Sequence, residues 1–229
     1  MSRLRRTFAR VQALLDDPRR RGIPLTFSEP CYWIIDRLSD QSVMLDFGLG
    51  FDADFSQAMI GRYGLRSFGF EPTQRHHAGL QEVVRRMNNR LVIHPWAIGG
   101  KTGTALFHES QQNVSGSMLA DHWNIQRDTV KSYEVRVATI TESLEVAPGA
   151  RADLVKMDIE GSEYEAIDGT PSEILQRVDQ WVIEFHHDYC QSASFSKTRR
   201  TIRLFKEAGF DCYTWDNINF LLYKRSLRA

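Results

Sequence analysis

Residues 42–55 read SVMLDFGLGFDADF, and this stretch decides the fold. Val43, Met44, Leu45 and Phe47 form a short apolar run that ends in the turn Gly48-Leu-Gly50. Phe55, Met59 and Ile60 then follow at helical spacing. A buried strand, a tight glycine turn and a helix make the opening of a βαβ unit. The same rhythm continues outward. Strands are expected at residues 66–70, 91–94, 154–157 and 181–185, with helices at about 73–88, 163–167 and 195–208. Residues 210–215 and 220–223 read as a closing antiparallel hairpin. Residues 104–108 and 133–140 are strand-like and flank a polar stretch, residues 109–132, read as a substrate loop or lid with a short helix. The fold class is therefore α/β, with a mostly parallel sheet.

The chain has 229 residues and a formal net charge of zero, from 29 basic and 29 acidic side chains. That length suits one domain with a single sizeable core. Zero net charge gives no global attraction to nucleic acid or anionic lipid, so a nucleic-acid partner is not expected. The charge is unevenly spread. Residues 1–21 hold seven Arg and two Asp, whereas residues 141–188 hold twelve acids and three bases. Cys31, Cys190 and Cys212 are odd in number and far apart, which argues against a disulfide framework or a zinc ribbon and for a cytoplasmic setting. No apolar run is long enough for a transmembrane segment. Residues 1–40 are read as an N-terminal helical segment packed on the domain, because Leu4, Phe8, Val11, Leu14 and Leu15 recur at helical spacing. Residues 41–229 are read as the single domain.

Three motifs carry chemistry. The first is the turn itself, where Asp46, Asp52 and Asp54 surround Gly48 and Gly50. Read narrowly, Gly48, Gly50 and Ala53 satisfy a dinucleotide fingerprint, with Glu71 downstream as the ribose acid, so an NAD-dependent oxidoreductase is one reading. Three carboxylates are a poor bed for pyrophosphate, however, and suit a ligand with a cationic end such as the amino-acid part of S-adenosylmethionine. The second is Phe70-Glu71-Pro72: an acid at a strand end can accept from both ribose hydroxyls, and Pro72 stops the strand there. The third is residues 154–163, LVKMDIEGSE. Alternation puts Lys156, Asp158 and Glu160 on one side of a strand whose C-terminal end carries two carboxylates.

The ordered set of DxGxG at 46–50, FEP at 70–72, PWAIG at 95–99, VRVATITESL at 135–144, LVKMDIEGSE and WVIEFH at 181–186 resembles the FkbM-type family of S-adenosylmethionine-dependent methyltransferases. The resemblance covers roughly residues 43–186. It implies a Rossmann-like class I methyltransferase fold with a seven-stranded sheet. It also implies S-adenosyl-L-methionine as cofactor and O-methylation of a hydroxyl on a sugar, glycan or small natural product. By carry-over, Asp46, Gly48 and Gly50 would hold the methionine end, Glu71 the ribose, and Ala97 or Ile98 would border the adenine. The first motif departs from the family pattern at Asp52, where the family has glycine. Asp52 is expected either to bind the cofactor's ammonium or to alter affinity. A non-catalytic binding module of the same fold is a further reading of that departure.

A hydroxyl acceptor needs a proton acceptor. Candidates lie at two strand ends, Asp158 and Glu160 on one and Glu184 and His186 on the next. His186 is the first choice because imidazole titrates near neutrality, and Glu160 is the second. Asp158, Glu160, Glu184 and His186 could instead converge on a hard divalent cation. Scaffolded ligand spacing is lacking, so no metal is expected. His122, His94 and His108 lack partner motifs and read as ordinary core or surface histidines; Trp96 and Trp123 read as core packing. Residues 113–118, NVSGSM, are the expected place for acceptor contacts.

Overall fold

A computed structural model describes residues 17–228. Its centre is a seven-stranded sheet built from β3 (Val43–Phe47), β4 (Arg66–Phe70), β5 (Leu91–His94), β10 (Ala152–Met157), β11 (Val178–Glu184), β12 (Phe210–Thr214) and β13 (Asn219–Lys224). The spatial order is β12-β13-β11-β10-β3-β4-β5. All neighbours run parallel except β13, which is antiparallel to both β11 and β12. The chain starts in the middle with β3, steps outward through β4 and β5, then returns to β10 beside β3. That reversal puts a switch point at the C-terminal ends of β3 and β10, where open α/β sheets bind ligands. All five residues of β3 are buried, as a central parallel strand with helices on both faces requires. Val43, Leu45 and Phe47 enter one apolar layer and Met44 the other.

The expected strands and helices of this sheet are present within a few residues. The helix expected from residue 73 begins as a 3-10 turn, Gln74–His76, before His77–Arg86, and Thr73 makes no side-chain cap. The strand expected over 133–140 stops at Ala138, because Thr139 and Glu142 form a capping box that starts the helix Ile140–Glu145.

Two expectations are corrected. The described part of residues 1–40 is not helical. After a 3-10 turn at Pro18–Arg21, β1 (Leu25–Ser28) and β2 (Tyr32–Ile35) form a two-stranded hairpin. Thr, Phe, Tyr, Trp and Ile favour strands, and alternation buries Tyr32 and Ile34 while Phe27 and Trp33 pair edge to face outside. The Gln180 side chain clamps this hairpin to β11, accepting from the Ile35 N–H at 2.7 Å and donating to the Ile35 carbonyl at 3.1 Å. The helical repeat at Leu4, Phe8, Val11, Leu14 and Leu15 lies outside the described residues.

Residues 109–132 are also not a free lid. β7 (Gly103–Ser110) and β9 (Val130–Ala138) pair along their whole length, and with β6 (Trp96–Ile98) and β8 (Gly116–Ser117) they form a second sheet in the order β6-β9-β7-β8. Ladder bonds therefore reach into both ends of the stretch, and a short helix, Trp123–Arg127, sits in what remains. No helix among the described residues is long and apolar enough to cross a membrane.

Candidate active site

The glycine turn closes against the neighbouring strand. Gly48 has φ +84°, and a Cβ built there would lie 1.8 Å from the Asp158 carbonyl oxygen. This closeness follows from the ladder: Asp158 N–H donates to the Phe47 carbonyl at 3.0 Å, so the two strand ends leave together. Gly50 has φ +65° with open space around it, so its need for glycine is conformational alone. Glu71 ties the turn to the next strand. Its Oε2 accepts from Gly50 N–H at 3.0 Å and its Oε1 from Thr73 N–H at 2.9 Å. Both oxygens keep a free lone pair for further donors.

These residues border a pocket that, with its open mouth included, spans about 660 Å³. Gly48, Gly50, Glu71 and Pro72 form one wall, and Phe70, Trp96, Ala97 and Ile98 form an apolar flank. Val114, Gly116 and Met118 cover it from the second sheet, inside the stretch expected to contact the acceptor. Asp158 and Glu160 also line it, with Asp158 against Gly48. A carboxylate with spare acceptor sites, an apolar slot and an acidic end fit a molecule with ribose hydroxyls, a flat base and cationic groups. Trp96, read from sequence as core packing, thus lines the pocket, with Arg136 stacked 3.8 Å from its ring centroid. Trp123 is 45% exposed.

Asp46 and Asp52 do not line this pocket. Asp46 is 1% exposed and lies beneath the turn, accepting from Ser56 Oγ at 2.6 Å with Lys156 Nζ 3.8 Å away. It supports the loop from behind and is not among the residues lining the pocket. The ladder explains the placement, because Lys156 and Asp46 are direct partners across β10 and β3. Asp52 is half-buried on the helix side of the turn, where its carbonyl accepts from Gln57 Nε2 at 2.7 Å.

Burial pushes the Asp46 carboxyl up to about 6, with Lys156 and Ser56 pulling the other way. The folded chain therefore binds this proton more tightly than the unfolded chain does. The resulting stabilisation is fully present below the unfolded value of 3.8 and is lost as pH rises through about 6. It is on the order of 3 kcal/mol, since each tenfold difference in proton affinity is worth about 1.4 kcal/mol. Urea unfolding of Asp46→Asn should show a flatter stability profile across that window than the parent protein; an unchanged slope would refute the assignment.

The strand-end residues expected to supply the base do converge. His186, 4% exposed, has Nε2 at 3.5 Å from Asp158 Oδ1 and 3.4 Å from Glu160 Oε2. Its Nδ1 lies 3.0 Å from Glu163 Oε1. That oxygen already accepts from Ile159 N–H and Gly161 N–H, each at 3.1 Å, so the ring nitrogen facing it carries the hydrogen. Burial works against protonating His186, but Glu163, Glu160 and Asp158 together outweigh it and hold its pKa well above the ordinary value. Burial likewise raises Glu184, to about 7, with Asp158 adding to the effect. Asp158 moves down despite burial, because Lys156 and His186 stand beside it. Glu160 has φ +53°, a left-handed conformation that costs of order 1–3 kcal/mol for a residue with a side chain.

Three residues of this cluster escape a sequence reading. Tyr32 arrives from the N-terminal hairpin, its hydroxyl 3.3 Å from Asp158 Oδ2 and 3.5 Å from Glu184 Oε2. His122 is fully buried, with Nε2 2.9 Å from Glu160 Oε2. Glu163, also fully buried, orients His186. Only Glu163 carried a signal, as a further acid in the LVKMDIEGSE run.

A profile described as the Methyltransferase FkbM domain matches residues 49–212. No curated protein matches the chain by sequence. Among solved structures, the fibrillarin pre-rRNA processing protein of Methanococcus jannaschii is 8% identical, with a TM-score of 0.48 over 87% of this chain and 70% of its own. The precorrin-6y C5,15-methyltransferase of Geobacter metallireducens is 13% identical, with a TM-score of 0.44 over 82% of each chain. An O-methyltransferase of Bacillus cereus, solved with SAH, is 10% identical, with a TM-score of 0.46 over 98% of this chain and 82% of its own. Assignment to a family rests on the sequence match and not on these alignments.

Proposed function

The chain belongs to the FkbM methyltransferase domain family, and from that premise we propose that it methylates a hydroxyl of a sugar, glycan or small natural product with S-adenosylmethionine as donor. The observation that carries this reading is the pocket lined together by the Gly48–Gly50 turn, Glu71, Asp158 and Glu160. The cofactor would supply an electrophilic methyl group on a sulfonium. Glu71 would hold the ribose through the acceptor sites that Gly50 and Thr73 leave free. Phe70, Trp96, Ala97 and Ile98 would flank the base. Asp158 and Glu160 would face the cationic end.

The chain's main contribution to rate is alignment, since proximity and orientation supply roughly 7–11 kcal/mol in favourable cases. The hydroxyl proton passes to the Glu160 or Asp158 carboxylate, both of which line the pocket. His186 is better suited to supporting them than to acting as the base, because the surrounding acids keep its ring protonated at neutral pH. The NAD-dependent alternative is disfavoured by the family match and by the acidic end of the pocket. Cys31 and Cys190 carry free thiols, which suits a reducing cytoplasm.

Calorimetry with S-adenosylhomocysteine and with NAD tests the donor assignment. Binding of the former alone is expected, and binding of NAD alone would overturn it. Glu71→Ala should weaken S-adenosylhomocysteine about tenfold or more, since a hydrogen bond to a charged group contributes about 1.5–3 kcal/mol.

A further inference from the structure

A carboxylate is a weak base for an unactivated hydroxyl, and the surroundings of Glu160 hold more than carboxylates. Two imidazole nitrogens meet one of its oxygens: Oε2 lies 2.9 Å from His122 Nε2 and 3.4 Å from His186 Nε2. The donor atoms of His122, Glu160 and His186 all fall within 4.8 Å of one another, and those of Asp158, Glu184 and His186 do the same. Donors about 2.1 Å from a shared ion are separated by roughly 3.0–3.4 Å in octahedral or tetrahedral arrangements, and the separations of 2.9 and 3.4 Å from Glu160 are close to that spacing.

Two further features point to a cation. His122 Nε2 is buried and lacks a hydrogen-bond partner in spite of its closeness to Glu160, because the carboxylate oxygen lies off the line of the ring N–H. A buried polar atom beside a carboxylate without a hydrogen bond to it is an uncompensated cost. Second, the Nδ1–H of His186 is held by Glu163, which is itself fixed by two backbone N–H groups. An incoming cation would displace the proton on Nε2 and take up the lone pair that faces the cluster. A carboxylate behind a ligating histidine is the usual outer support of a metal site.

We propose that His122, Glu160 and His186 form a divalent transition-metal site beside the methyl-transfer pocket, with Asp158 as an adjacent oxygen donor. Two imidazoles and a carboxylate select manganese, iron, cobalt or zinc over magnesium or calcium, which prefer all-oxygen sets. An ion here reverses the sequence-based expectation of no metal. It rests on the proposed function in one respect: Glu160 borders the pocket, so the ion would stand against the acceptor's oxygen and acidify its hydroxyl, allowing Asp158 to receive the proton. Ligation by Nε2 puts the His122 ring proton on Nδ1, so the long 3.3 Å cap that Nδ1 accepts from Asn124 N–H is given up.

The full chain, stripped with a chelator and titrated with Mn²⁺ while free ion is followed by electron paramagnetic resonance, is expected to take up one ion with micromolar affinity. His122→Gln and His186→Gln should each weaken uptake tenfold or more, whereas His108→Ala, outside the cluster, should not. Co²⁺ loaded into the unmodified protein provides a check independent of variant folding, since two hyperfine-shifted ring N–H resonances are expected. No manganese uptake, uptake unaffected by both glutamine variants, or absence of shifted imidazole resonances overturns the site. S-adenosylhomocysteine binding, measured on the same stripped protein, separates the two proposals: if it persists without metal uptake, only the cation site falls. If it is lost, the donor assignment falls, and manganese uptake still decides the metal site by itself.

Discussion

Gly48→Ala is expected to produce the largest loss of stability of any single methyl addition in this chain. The added carbon would sit 1.8 Å from the Asp158 carbonyl oxygen, which is backbone and cannot swing away. Relief requires the ends of β3 and β10 to separate, breaking the 3.0 Å bond from Asp158 N–H to the Phe47 carbonyl. The left-handed φ of +84° adds a conformational cost of about 1–2 kcal/mol, and overpacking adds roughly 1–3 kcal/mol. A total of about 3 kcal/mol or more lowers the melting temperature by about 6–12 °C in a domain of this size. S-adenosylhomocysteine binding should fall with it, because the displaced carbonyl and the turn both border the pocket. Gly50→Ala is the informative contrast. It has a similar φ but open space, so only the conformational part of the loss is expected. Equal melting temperatures for the two variants would show that the contact between turn and strand is not what the glycine protects.

Lys156→Met is the second large effect. The ammonium is buried between Asp46, at 3.8 Å, and Asp158, at 3.4 Å, and it also donates to the Gly48 carbonyl. Burial disfavours its charge, yet Asp158 and Asp46 keep its pKa above the ordinary value. Removing it leaves two carboxylates facing each other without a counter-charge, a change that typically costs 3–5 kcal/mol. At about 2–4 °C per kcal/mol, the melting temperature should drop by roughly 6–20 °C at neutral pH. The loss should shrink on acidification, as Asp46 takes up a proton instead of facing Asp158 as a charge. Adding Asp46→Asn should restore part of the stability at pH 7. Additive losses in that double variant would show that the two residues are not coupled.

The central sheet was legible because its strands are short, apolar and punctuated by glycine or proline, so period and punctuation agree. The N-terminal hairpin was not. Its strands are four residues each, and the helical repeat upstream suggested continuation. The second sheet was half legible: residues 104–108 and 133–138 read as strands, but polar outer faces hid the pairing that extends into residues 109–132. At the site, acids and histidine at strand ends were readable because alternation and a switch point assign them to one edge. Asp46 shows the limit of that logic. A strand-end acid in a glycine motif looks like a ligand contact, and only the register that sets Lys156 beside it reveals a loop support. Tyr32 and His122 were invisible for a different reason: both reach the cluster from elements far away in sequence, and no spacing rule links them to residues 158–186.

The seating of Tyr32 also bears on biosynthesis. The hairpin leaves the ribosome well before the groups that hold it, since the Gln180 side chain and the Asp158 and Glu184 carboxylates are encoded some 130–150 residues later. Until β11 has emerged, β1 and β2 have no sheet to rest on, and a two-stranded ribbon alone is marginal in water. The cluster around Tyr32 is therefore completed only after β11 has emerged. Before then the chain exposes Tyr32, Ile34 and Ile35, which become a recognisable apolar handle for chaperones or a liability for misassembly.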